Sequence, residues 1–322
     1  MSLILKSDKQ RKTATFDNRK MVRRVLDGFR HQAILNRSRK IVTGQIKECL
    51  NEWAGSAGFK VPNSLNLLTT DSSKIIKARK LGIGVQHVLY LAPAMTGANT
   101  SLCSHATTAC FLLCLEHSGK NGLNDSRNAR RWRSFLLGKD PSLFGQLLAL
   151  DIARAVKQGK RLNMPVSIRL DGTSDIGIGS ALSDMLNSYS GASFREKYRC
   201  QFYDYTAVVE RIFEYPNSTC HLTFSYKGSN SRLIKRWFDI ESKNRGGVAV
   251  VYAPGSEIPE RDTIGGVNLP VVSYDSHDAR YLDGNRMLFG ALRFKHAIGQ
   301  RSRQRERGFK AGISSGFLRV NR

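Results

Sequence analysis

Val166-Ser-Ile-Arg-Leu170 runs directly into Asp171-Gly-Thr-Ser-Asp175. The first five residues form a short apolar run of strand length, and the next five put carboxylates and hydroxyls on a glycine-containing turn. The same order recurs along the chain. Apolar runs occur at Val88–Leu91, Cys200–Tyr203, His221–Phe224, Val248–Tyr252, Val271–Tyr274 and Met287–Leu292. Helical patterns lie between several of them. Leu143, Phe144, Leu147, Leu148, Ile152, Ala155 and Val156 trace a helix behind Pro141, a good first helical residue preceded by Asp140. Ser180–Leu186 and Ser231–Phe238 are shorter candidates. Near-continuous apolar strands alternating with helices predict an α/β protein with a mostly parallel sheet and helices outside it. Seven strands suit an open doubly wound sheet or a partial (β/α) barrel, and a partial barrel of about six to seven strands is the expectation taken forward. Leu81-Gly-Ile-Gly84 lacks the third glycine and the following helix of a dinucleotide fingerprint, and no phosphate-cradling G-x-x-x-x-G-K-[ST] occurs.

Flanking segments differ in character. Residues 18–53 carry helical spacing twice, in Met21, Val22, Val25, Leu26 and Phe29 and again in Val42, Ile46, Cys49 and Trp53. Residues 54–72, rich in Gly, Ser, Asn and Thr, read as a linker. The expected division is a basic helical extension and linker over 1–72, the α/β domain over 73–292, and a basic flexible tail over 293–322.

Ligands of such sheets bind beyond the carboxyl ends of the strands. That rule singles out Asp171, Asp175 and Asp204 as candidate catalytic carboxylates. Thr173, Ser174, Ser225, Asp275 and Asp278 are candidates to line a substrate or cofactor pocket. Each has a local alternative: Asp171-Gly is a common turn, and Ser174 or Asp175 can cap the next helix. Behind the first strand, Cys103, Cys110 and Cys114 follow in the order C-x6-C-x3-C, with His105 between them. Three soft ligands on one loop-to-helix segment suit zinc or an iron–sulfur cluster, and a three-cysteine [4Fe-4S] cluster is what binding of S-adenosylmethionine requires. The position resembles that of radical S-adenosylmethionine enzymes, but their usual C-x3-C-x2-C spacing is absent. Buried thiols with no metal are the alternative, since cysteine packs as a small hydrophobe.

Charge is the strongest compositional signal. The 322 residues carry a formal net charge of +25. Twelve Lys/Arg against three acids fall within residues 1–41, and nine against one within 293–322. Arg301, Arg303, Arg305 and Arg307 read as a mobile polyelectrolyte arm, and Arg127, Arg130 and Arg131 flank Trp132 in a second basic cluster. Nucleic acid, DNA or RNA, is the partner such charge implies, with an anionic membrane surface as the lesser alternative. No run of about 18 apolar residues occurs, which excludes an ordinary transmembrane helix. The chain lacks the apolar core of a secretory signal, and its six cysteines do not suggest a disulfide framework. The expected location is the cytoplasm, the host's if the chain is phage-encoded.

Taken in order, Leu91-Ala-Pro-Ala-Met-Thr-Gly-Ala-Asn-Thr100, Cys103 through Cys114, Arg169 through Ile176, Phe202–Thr206, His221–Ser225, Val248–Tyr252 and Asp275 through Asp283 resemble the phage gene-product-eighty-eight family. The likeness spans roughly residues 85–292 and implies a phage or mobile-element protein. It departs at Asp171, where the family pattern has Asn. Two functions remain in view. One is a cluster-dependent enzyme acting on or near nucleic acid, with Cys103, Cys110 and Cys114 as ligands. The other is a non-enzymatic, replication-associated nucleic-acid-binding protein with structural cysteines, zinc or neither.

Overall fold

The structure, a computed structural model, describes residues 8–93, 101–103, 105–114, 122–190, 193–295 and 302–320. The helices are α1 (Asp8–Leu35), α2 (Arg39–Ala57), α3 (Ser73–Lys80), α4 (Thr108–Leu112), α5 (Asn124–Lys139), α6 (Pro141–Leu162), α7 (Ile178–Ser190), α8 (Phe194–Tyr198), α9 (Arg211–Glu214), α10 (Leu233–Phe238) and α11 (Ser302–Ser314). The strands are β1 (Leu68–Thr69), β2 (Val85–Leu89), β3 (Val166–Arg169), β4 (Cys200–Thr206), β5 (His221–Ser225), β6 (Arg245–Tyr252), β7 (Arg261–Ile264), β8 (Val267–Ser273), β9 (Phe289–Arg293) and β10 (Leu318–Arg319). Each of the seven apolar runs overlaps a strand, the first of them by only two residues, Val88 and Leu89. The three strands that sequence patterning missed are two two-residue strands and one arm of a hairpin.

Strand order is β1-β2-β3-β4-β5-β6-β9-β8-β7, parallel throughout except for β1 on β2 and β7 on β8. From β2 to β6 the strands lie in chain order, without the reversal that defines a doubly wound sheet. Right-handed crossovers in one direction put their helices on one face. The sheet is open: among the described residues β1 and β7 form its two ends, and no pairing closes a barrel.

The register separates the two faces. One carries Leu89, Ile168, Phe202, Leu222, Phe224, Val248, Val250, Phe289 and Ala291, all part of the main core with α6, α7 and α8. The opposite face carries Gln86, Ser167, Arg169, Gln201, Tyr203, Tyr205, His221, Thr223 and Ser225. In place of a helix, residues 274–288 cross this polar face. Tyr281 packs on Tyr203 with ring centroids 5.7 Å apart, His221 Nε2 meets the Gly284 carbonyl at 3.1 Å, and Arg245 donates to the Asn285 carbonyl at 2.8 Å. Two glycine sites make the room. A Cβ on Gly290 would stand 2.0 Å from the Tyr274 ring, and Gly246-Gly247 form the bulge where the β5–β6 register shifts, beneath His221 and Tyr274.

Both basic ends differ from their expected form. α1 breaks from α2 at Asn36, whose φ is 44°, and Ser38 caps α2 by accepting from the Ile41 N–H. α1 is part of the main core: Val22, Val25 and Phe29 are buried with Leu147 and Leu148. At its crossing with α6 the backbones touch, since a Cβ on Gly28 would lie 1.9 Å from the Ser142 carbonyl and one on Gly145 2.0 Å from that of Val25. The C-terminal segment is not simply an arm. α11 packs on α4, and β10 lies parallel to the end of β6, with Leu318 opposite Val251 and Arg319 opposite Tyr252. β5 ends opposite Ala249, so the last residues of β6 have an open edge there, and β10 fills it. Buried Leu318 packs with Leu113 and Phe309, and Arg319 forks onto the Asp262 carboxylate at 2.6 and 3.1 Å. No helix among the described residues is long and apolar enough to cross a membrane.

The Tyr274–Gly290 contact gives a test of how the polar face is covered. Gly290→Ala should destabilise the protein by about 1–3 kcal/mol through overpacking. The double variant with Tyr274→Ala should lose less than the two single changes together, as read by chemical denaturation.

Candidate functional site

At the carboxyl end of β3 the chain turns through 171–177 into α7, and the carboxylates singled out by sequence hold that turn together. Asp171 Oδ1 accepts from the Ser174 hydroxyl at 2.6 Å and the Ile176 N–H at 3.2 Å, and its Oδ2 accepts from the Gly177 N–H at 2.7 Å. Asp204, at the end of β4, accepts from the Asp171 N–H at 2.9 Å and the Leu170 N–H at 3.3 Å. Asp175 accepts from the Thr206 hydroxyl and the Ala207 N–H, both at 2.9 Å, and faces Arg211 at 3.7 Å. Thr173 donates to the Leu91 carbonyl at 2.5 Å, tying the turn to the segment after β2. Burial pushes the Asp171 carboxyl above its ordinary pKa; burial and then the nearby Asp171 push Asp204 well above it. These carboxylates are brought together, but as the frame of two loops. Each of the three has carboxylate oxygens engaged by N–H or hydroxyl groups of these loops.

The pocket-lining candidates divide. Asp275 accepts from the Arg293 N–H at 3.1 Å and anchors the start of the covering segment. Ser225 ends β5, and its carbonyl accepts from the Asn230 amide at 2.9 Å. Asp278 is the one that reaches across the sheet: its Oδ1 accepts from Lys74 of α3 at 2.9 Å, and its Oδ2 lies 3.8 Å from Arg169. Burial works to raise the Asp278 pKa, but Lys74 and Arg169 outweigh it and hold it below the ordinary carboxylate value. Around this pair stand residues that the sequence reading passed over. Arg169 lies over the Tyr205 ring at 4.4 Å, and Arg280 over the Tyr274 ring at 3.9 Å. For Arg169 the available signal was alternation in VSIR, repeated in HLTFS, where every second side chain is polar.

The three thiols do not form a ligand set. Cys103 donates to the Thr173 carbonyl at 3.8 Å, and the Thr107 hydroxyl donates to Cys110 Sγ at 3.2 Å while capping α4. Burial, and then the proximity of Cys114, push the Cys103 thiol well above its ordinary pKa. Metal ligation needs thiolates turned onto one point. Among the described residues no three His, Cys, Asp or Glu side chains are so grouped. The His105 carbonyl accepts from Lys227 at 3.1 Å. The described residues do not fit a cluster.

The basic candidates also separate. Trp132 is in the core, as its helical spacing implies. Arg130 is buried, Arg131 donates to the Gly58 carbonyl at the end of α2, and Arg127 is exposed. Arg301 lies outside the described residues, and Arg303, Arg305 and Arg307 fall within α11, with side chains outside the description. A different surface emerges on α1. With Met21, Val22, Val25 and Phe29 turned inward, Arg19, Lys20, Arg23, Arg24, Asp27, Arg30 and His31 share the outer face. Arg19 pairs with Glu214 at 3.0 Å and Arg30 with Asp27 at 3.4 Å. Arg23 and Arg24 meet no carboxylate among the described residues. Two exposed aromatics mark the ends of this face: Tyr189, 71% exposed, beneath Arg30 at 5.3 Å, and Phe213, 62% exposed. Phe213 shares with Arg19 a cavity of about 230 Å³ that is also lined by His105, Val208 and Arg211.

Fold and surface thus define a basic α/β protein with a one-directional, open parallel sheet, polar on the face its helices leave free. Residues 66–310 match the model of the Gene product 88 family, and the chain belongs to that family. The match agrees with the phage resemblance carried by the strand-end motifs; the likeness to radical S-adenosylmethionine enzymes has no counterpart in it. No curated protein and no solved structure is significantly similar to the chain.

Asp278 supplies a pH test. Its folded pKa lies below the unfolded one, so its contribution is complete above the unfolded value and is lost as pH falls through the folded value. Asp278→Asn should cost about 1–3 kcal/mol at pH 7 by leaving Lys74, and the more distant Arg169, without the counter-charge. It should also flatten the loss of stability that the unaltered protein shows below about pH 4 in denaturation curves.

Proposed function

We propose that this protein binds single-stranded nucleic acid along the outer face of α1. The observation that carries the reading is a cationic helix face bounded by exposed aromatic rings. The twelve residues from Arg19 to Arg30 span about 16 Å of helix, long enough to follow several phosphates. Arg23 and Arg24, which no carboxylate neutralises among the described residues, supply the charge that counterion release rewards. Tyr189 and Phe213 offer rings on which unpaired bases stack, a contact that paired bases inside a duplex do not make with a flat side chain. A net charge of +25 adds long-range attraction to any polyphosphate. A replication-associated or other nucleic-acid role in a phage family accords with this surface.

Fluorescence anisotropy on single-stranded DNA and RNA oligonucleotides tests the reading. Affinity should fall linearly on a log–log plot against salt, and Arg23→Ala with Arg24→Ala should reduce the slope by about 1.4. Tyr189→Ala or Phe213→Ala should weaken binding by about 1–3 kcal/mol for each base unstacked. Duplex bound more tightly than single strand, or affinity indifferent to both sets of changes, would refute it.

A further inference from the structure

We propose that the polar face of the sheet, where Arg169 meets Tyr203 and Tyr205 beneath the 274–288 segment, binds a small oxyanion, a phosphate or carboxylate group. This site is separate from the outer face of α1 and does not depend on it. Arg169 is only 8% exposed, yet its closest carboxylate oxygens stand 3.7 Å away on Asp204 and 3.8 Å away on Asp278, beyond hydrogen-bonding distance. Both carboxylates are engaged elsewhere. Asp204 accepts the N–H groups of Leu170 and Asp171, and Asp278 accepts from Lys74. Arg169 Nε therefore has no hydrogen-bond partner among the described residues. Neither do the hydroxyls of Tyr203, which is fully buried, and of Tyr205, whose ring holds the guanidinium plane in place at 4.4 Å.

The chemistry of these groups selects the ligand. A guanidinium only donates, and its fork of N–H groups matches two oxygens of one planar or tetrahedral anion. The two phenols each donate a further hydrogen bond. Leaving such donors buried and unpaired is costly, so a compact acceptor carrying negative charge completes the set. Lys74, partly exposed and paired with Asp278 at 2.9 Å, adds a second cation beside the site. Further along the same face, Gln86 Nε2 and Thr223 Oγ1 are also buried without partners among the described residues. They offer polar contacts to whatever body carries the anionic group.

Calorimetry and ³¹P spectroscopy with inorganic phosphate, and calorimetry with acetate, test this at constant ionic strength set with chloride. Saturable binding of phosphate alone points to a phosphate-bearing ligand, and of acetate alone to a carboxylate. Tyr203→Phe and Tyr205→Phe keep shape and packing, and each should weaken binding about fivefold to tenfold. Arg169→Gln should abolish it. The Arg23→Ala, Arg24→Ala protein should bind the anion unchanged, which separates this site from the surface of α1. Absence of saturable binding to either anion overturns the proposal. So does binding that survives the double phenylalanine change, since that would place the anion elsewhere; thermal melts confirm that those variants are folded.

Discussion

A parallel sheet whose strands follow chain order receives its crossover helices on one side, and something else must then shield the other. In this protein that single constraint shapes most of what is distinctive. The helix side is filled by aliphatic and aromatic side chains continuous with α1, α2 and α6. The free side is lined by Arg, Tyr, His, Gln and Thr, and a stretch with only a single short 3-10 turn, Arg280–Asp283, lies across it through ring stacking and backbone hydrogen bonds. Glycines at 246, 247 and 290 are the local consequence: side chains there would occupy the space taken by His221, Leu288 and Tyr274. A polar lining under a polar cover needs its donors matched, and among those left unmatched are Arg169 Nε and the Tyr203 and Tyr205 hydroxyls.

Carboxylates at the strand ends illustrate how one residue type serves opposite ends. Asp171, Asp175 and Asp204 each satisfy backbone N–H groups that a tight turn leaves without partners. Such acceptors stabilise the turns because they satisfy backbone donors that would otherwise be buried without partners. Asp278 differs: its partners are side-chain cations from distant parts of the chain, so it joins α3, β3 and the covering segment into one electrostatic unit. Cys103 and Cys110 belong with the first kind, as hydrogen-bonded members of the segment that follows β2.

The excess positive charge has two destinations. Part is consumed inside, where Arg133 donates to the Asn66 carbonyl, Arg245 to those of Ile240 and Asn285, and Arg319 to Asp262. The remainder faces solvent, and on α1 it is concentrated by the demands of packing. With one stripe of the helix committed to α6, its cations fall on the opposite stripe, between Phe213 at one end and Tyr189 at the other.

Local chemistry in the chain was enough to specify the α/β class, each of the seven principal strands, the Asp140-Pro141 start of α6 and the burial of Trp132, because strand length, helical period and capping depend on neighbours in sequence. Alternation within those strands also held the polar face, although apolar residues on the other side made the runs read as wholly buried. Other features have no local signature. Whether Asp171 is a turn acceptor or a base depends on which N–H groups the fold brings to it. Whether three cysteines converge depends on the path of a loop. That Leu318 and Arg319 form a strand depends on where β5 ends beside β6. Arg169 became the centre of the proposed anion site only through the tertiary structure, which placed two carboxylates near it and gave both of them other partners.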